Sequence, residues 1–136
     1  MRAQFFDGFD FATYKFSIVA IEDVDEFFNI EEFGLHPIMY NEACLRGYTA
    51  IFGFNDEKML TLHKLLTNNN GMEPPAIDGI HPVPFHSPAG DLKYELNHVM
   101  DYSGSILIAN SFIDKYFVPF GFQLPPAFRK VYELTF

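Results

Sequence analysis

The residues best suited to chemistry are few and scattered along the chain. His81 and His86 stand in a proline-rich stretch with Asp78 and Asp91 nearby, a set of types that could ligate a metal. Their spacing, His-x4-His within a loop, is not a recognised zinc-ligand spacing, and the expectation is that no metal is held there. Ser103 has His98 and Asp101 close in sequence, the three side-chain types of an activated nucleophile. The run Tyr102-Ser103-Gly104-Ser105 lacks the Gly-x-Ser-x-Gly turn that projects such a serine, so no hydrolase is expected. Cys44 is the single cysteine, and no base stands beside it to make a thiolate. His36, His63 and His98 are isolated and read as surface or half-buried residues.

Two other groups are better read as binding or bracing residues. Between Glu22 and Glu32 lie six acids (Glu22, Asp23, Asp25, Glu26, Glu31, Glu32) and no base. Exposed carboxylates are solvated and poorly tuned for acid–base work, but together they attract a basic partner. Asp25, Glu26, Glu31 and Glu32 are therefore the expected partner-binding residues. Arg46, followed by Gly47 and Tyr48, sits among apolar residues at the start of an aromatic-rich strand. An arginine there pairs with a carboxylate and stacks on a ring, so Arg46 and Tyr48 read as a structural ion pair, with ligand contact as the alternative.

These residues need elements to position them. Phe11 to Ile21 is rich in aromatic and β-branched residues and predicts a strand. From Glu22 to Phe33, Ile21, Val24 and Phe28 recur at helical spacing opposite the acids. Asp23 with Glu26 three residues on predicts a capping box, and Gly34 a stop, giving one short acidic helix of two to three turns. Tyr48, Ala50, Phe52 and Phe54 then alternate with Thr49, Ile51 and Gly53. A polar turn at 55–58 and a returning run predict an antiparallel hairpin pairing residues 48–54 with 59–65.

The stretch 67–91 carries five of the nine prolines and three of the nine glycines, and reads as a long Pro-rich loop. Tyr94 to His98, Ser105 to Ala109 and Phe128 to Phe136 read as strands, with Ser111 to Tyr116 open between strand and helical turn. Pro119 and the run 123–126 interrupt any regular element. Residues 46–52 resemble residues 102–108 after a one-residue slide. In both stretches the glycine, Gly47 or Gly104, reads as a backbone device at a strand start.

Composition sets the frame. A chain of 136 residues, 49% apolar with 17 phenylalanines, can bury a core as one domain over 1–136. The net charge is −9, and Asp7 to Glu42 alone holds nine acids against Lys15. No basic stripe exists to meet phosphates, so nucleic acid is excluded as a partner. No apolar run approaches the roughly 20 residues of a membrane span. The segment MRAQFFDGFDF carries no signal-peptide pattern. With one cysteine, the expected compartment is the cytoplasm. No glycine-rich phosphate loop opens a helix, so no nucleotide or other cofactor is expected.

The segment ACLRGYTAIFGFNDEKMLTLHKL resembles one in a group of uncharacterised small bacterial proteins that carry Ala-Cys-Trp-Arg-Gly-Tyr, a strand, an acidic-lysine turn and a returning strand. YSGSILIANSFI, FVPFGF and the closing VYELTF are similar to that group's second half. This chain departs at Leu45, where the group has an aromatic, and at 117–120, where a histidine is expected. By analogy with small acidic immunity proteins of bacterial toxin systems, the resemblance implies an immunity-like inhibitor. The reading is thus an α+β protein, mainly antiparallel sheet, that binds another, basic protein. The alternative is a β-rich module holding a small ligand in an aromatic cleft.

Overall fold

A computed structural model describes residues 7–11, 14–42, 44–112 and 128–136. Eight strands form one mixed sheet: β1 (Gly8–Phe11), β2 (Tyr14–Ile21), β3 (Tyr48–Phe54), β4 (Leu60–Thr67), β5 (Val83–Ser87), β6 (Gly90–Val99), β7 (Ser105–Phe112) and β8 (Phe128–Thr135). Their spatial order is β5-β6-β4-β3-β1-β2-β7-β8. Every neighbouring pair is antiparallel except β1 and β3, whose parallel register runs from Gly8 opposite Ile51 to Asp10 opposite Gly53. The α+β, sheet-dominated expectation holds, with one short α-helix among the described residues, α1 (Val24–Phe27).

The predicted strand from Phe11 to Ile21 begins within a hairpin, with β1 returning as β2 and Gly8 opposite Ser17. The hairpin of 48–54 with the following run is present as β3 and β4, paired from Tyr48–Thr67 to Phe54–Leu60. Its turn is held by Asn55, whose Oδ1 accepts from the Glu57 and Met59 amides at 2.9 Å each. The register slips by one between Ile51 and Phe52, leaving His63 as the extra residue on β4. Such a bulge reverses the inside–outside alternation. Leu60 and Leu62 before it and Leu65 after it are consequently all buried.

Two expectations are corrected. The acidic segment is not a helix of two to three turns. After α1 the chain goes extended at Phe28 (φ −157°, ψ 129°), then forms a 3-10 turn over Ile30–Phe33. The capping box does not form: Asp23 is left-handed and makes no side-chain cap. Asn29 starts the second piece instead, accepting from the Glu31 amide at 3.1 Å, and Gly34 ends it in the left-handed region. The break follows from packing. Phe27 and Ile30 are buried, whereas of the two expected anchors Phe28 is only partly buried and Val24 is exposed.

The second correction concerns the loop. β4 extends to Thr67 and β5 lies within the proline-rich stretch, so the connection without strand covers only 68–82. Pro84 is accommodated because β5 is the last strand of the sheet and one side of it needs no ladder bonds. The Ser87–Gly90 turn is closed by Ser87, whose Oγ donates to the Gly90 carbonyl and accepts from the Ala89 amide, each at 3.2 Å. β6 and β7 hold the predicted strands at 94–98 and 105–109, β8 holds the one expected at 128–136 except Phe136, and Ser111 and Phe112 are strand. The expectations for 113–116, Pro119 and 123–126 lie outside the described residues.

The core lies between the sheet and the segment from α1 to Leu35. Phe27 packs on Phe52 (ring centroids 4.7 Å apart) and edge-on to Tyr102 at 4.9 Å. Asn68 ties this layer to the sheet. Its amide donates to the carbonyls of Ile38, Gly47 and Ala89, and its Oδ1 accepts from the Ile38 and Asn70 amides.

Candidate functional site

The turn between α1 and the 3-10 segment faces the end of β6, and a cleft of about 630 Å³ opens between them. Its aromatic wall is built by the helix break. Because Phe28 is extended, its ring stacks on Phe33 with centroids 5.6 Å apart and planes 28° apart. His98, near the end of β6, meets Phe33 edge-on at 5.1 Å. Asp25, Glu26, Glu32 and Asp101 supply carboxylates, and Asn29, Met100 and Ser103 are among the other lining residues. Three of the four expected partner-binding acids therefore share one cleft. Glu31 is exposed and does not line it.

His98 is oriented from a distance. Its Nδ1 lies 2.7 Å from Asp78 Oδ2, a carboxylate twenty residues away in the 68–82 connection. Asp78 is held in a left-handed turn (φ 52°) closed by reciprocal backbone hydrogen bonds between Ile77 and Ile80. The carboxylate that orients His98 is thus Asp78 and not its sequence neighbour Asp101. Ser103 lines the same cleft, but among the described hydrogen bonds none joins it to His98. A base without a serine in reach does not make a nucleophile.

Arg46 forms an ion pair with Asp7, whose Oδ1 also accepts from the Ala50 amide at 2.8 Å. The guanidinium lies over the Tyr48 ring, 4.2 Å from its centroid. Burial works to lower the Arg46 pKa, but the Asp7 charge and hydrogen bond outweigh it and the value is raised. Burial likewise pushes the Tyr48 phenol up, against the opposing pull of Arg46. Asp7 is almost fully buried while Arg46 keeps over a quarter of its side chain exposed. Tyr48 in turn touches Phe28 at 5.7 Å. A continuous file of contacts therefore runs Asp7, Arg46, Tyr48, Phe28, Phe33, His98, Asp78, from the ion pair to the cleft.

The remaining candidates fall elsewhere. Cys44 is buried and donates through Sγ to the Tyr48 carbonyl at 3.3 Å. His81, His86 and Asp91 line a second cleft of about 600 Å³ with Glu73, Phe85 and prolines 74, 82 and 84. Among the described residues no group of three or more histidine, cysteine, aspartate or glutamate side chains is arranged to hold a metal ion. Among the same residues no helix is long and apolar enough to cross a membrane.

Sequence reading missed Asp7, and it grouped Asp78 with His81 and His86 and not with His98. Each of the two acids lies far along the chain from its partner, and no local signal marks either one. Phe33 entered the sequence reading only as the end of the helical segment. No protein-family model matches the chain, and no curated protein or solved structure matches it either.

Proposed function

We propose that this chain binds another protein, capturing a basic segment of it in the cleft between α1, the 3-10 turn and the end of β6. The observation that carries this reading is the composition of the cleft. Four carboxylates stand around a wall made by the stacked Phe28 and Phe33. A lysine or arginine side chain entering there meets opposite charge at its head and aromatic surface along its stem. Charge complementarity of this kind raises the association rate and needs no catalytic group of its own. An inhibitor with an immunity-like role in the cytoplasm fits those properties.

The test is association kinetics with a basic partner protein, taken at low and physiological salt. Replacing Asp25, Glu26, Glu31 and Glu32 with Asn or Gln should slow association and flatten its salt dependence, with dissociation changed less. The melting temperature should barely move, since exposed charges contribute about 0–1 kcal/mol per pair. Unchanged association at low salt would leave the charge with no role but solubility.

The same aromatic wall favours a second reading, a small organic cation held by ring faces and carboxylates together. The two separate by size. A small cation that binds as tightly as the protein would place the recognition in the cleft alone.

A further inference from the structure

We propose that His98 is a proton-controlled gate on this cleft, admitting the basic partner when its imidazole is neutral and weakening it when protonated. The inference rests on the capture reading above and adds its regulation. The geometry supplies three parts. His98 lines the cleft; its ring is fixed edge-on to Phe33; and its Nδ1 is engaged by Asp78 at 2.7 Å. With Nδ1 committed to Asp78, the other ring nitrogen is the one left to the cleft.

The charged groups that line the cleft with His98, or bond to it, come from every element around the cleft. They are Asp25 and Glu26 from α1, Glu32 from the 3-10 turn, Asp78 from the 68–82 connection and Asp101 from the connection to β7. Its β4 neighbour, Leu62, brings no charge. Every one of these is a carboxylate, and imidazole is the side chain that ordinarily changes charge between about pH 5 and 8. A neutral ring leaves Nε2 as an acceptor for an entering ammonium or guanidinium N–H. A protonated ring turns that acceptor into a donor and adds a positive charge where the partner's charge must sit. The proton and the cation then compete for one negative site, and by linkage each lowers the affinity for the other.

The experiment measures binding of a short oligo-arginine peptide by calorimetry at fixed ionic strength, at about pH 8 and about pH 5.5. The native chain should bind roughly three- to tenfold more weakly at the lower pH, the loss expected for one added charge a few ångströms from the ligand's own. His98→Gln, which keeps a polar side chain but cannot take up the charge, should bind almost equally at both. His98→Asn, a second neutral polar replacement, should likewise bind almost equally at both. An equal pH response in the native chain and His98→Gln overturns the gate and leaves the capture reading standing. Absence of peptide binding at both pH values overturns the capture reading and the gate with it. His98→Asn decides the gate in the same way if His98→Gln fails to fold.

Discussion

At the residue scale, two buried polar groups hold more of the fold than their number suggests. Asp7 receives both the Arg46 guanidinium and the Ala50 amide. Asp7→Asn should therefore cost on the order of 2–4 kcal/mol, since breaking a buried pair strands the remaining charge and the half-exposed Arg46 softens that penalty. Urea unfolding of the variant checks this, and a loss under about 0.5 kcal/mol would show that the pair is idle. Tyr94 is fully buried and donates to the Pro75 carbonyl at 2.6 Å, and burial pushes its phenol from 10.0 up to about 12. The folded state favours the neutral phenol, so this contribution is complete below pH 10.0 and is lost as pH rises through about 12. Tyr94→Phe should cost about 1 kcal/mol at neutral pH and remove part of the alkaline fall in stability, read as melting temperature against pH.

At the element scale, the glycines at the two similar strand starts do different work. Gly47 enters β3 at φ 77°, and a Cβ there would lie 2.1 Å from the Ile38 carbonyl oxygen. Gly104 enters β7 where a Cβ would lie 2.5 Å from the Tyr102 hydroxyl. That hydroxyl donates to the carbonyls of Glu22 and Ser105, and burial, with the charges of Glu22, Asp23 and Glu26, raises its pKa. At Gly47 the obstacle is backbone, which cannot swing aside. Gly47→Ala should destabilise by more than about 3 kcal/mol, combining left-handed strain with displacement of the 35–47 segment. Chemical denaturation gives the value. A near-neutral result would mean that the segment docks loosely on β3. β3 and β7 otherwise share only the place of a first hairpin strand beside the β1–β2 pair.

At the scale of the whole molecule, the sheet is joined through a short parallel seam. β1 meets β3 over Gly8, Phe9 and Asp10, and the two sets of strands on either side meet there. Phe9 is fully buried in that seam and packs edge-on to Phe54 at 5.3 Å. Phe9→Ala should cost about 3–5 kcal/mol by lost burial and the cavity left behind. Because the seam is shared, the loss should appear in one cooperative transition seen alike by circular dichroism and tyrosine fluorescence. Separate transitions would show that the two sides of the sheet fold independently.

The β3–β4 hairpin was legible in its strands and turn, because period-two alternation around a polar turn is a local pattern that burial on one face enforces, but the bulge at His63 and the extension of β4 from the expected 59–65 to 60–67 were not. The glycine stop at Gly34 was legible for the same reason. What local pattern could not determine was where the acidic segment would break. Val24 and Phe28 carried the helical period, but the core selected Phe27 and Ile30, and the chain went extended at Phe28 to bring its ring against Phe33 and Tyr48. Prolines at 82 and 84 suggested loop, yet an edge position freed Pro84 from ladder bonding. Sequence alone named Arg46, Tyr48, Asp25, Glu26, Glu31 and Glu32, since charge and type need no neighbours to be recognised, though it could not tell that Glu31 stands outside the cleft. Only tertiary structure supplied Asp7 for Arg46 and Asp78 for His98, and gathered the acids around an aromatic wall, because an ion pair or a cleft is closed in space by residues that the chain keeps far apart.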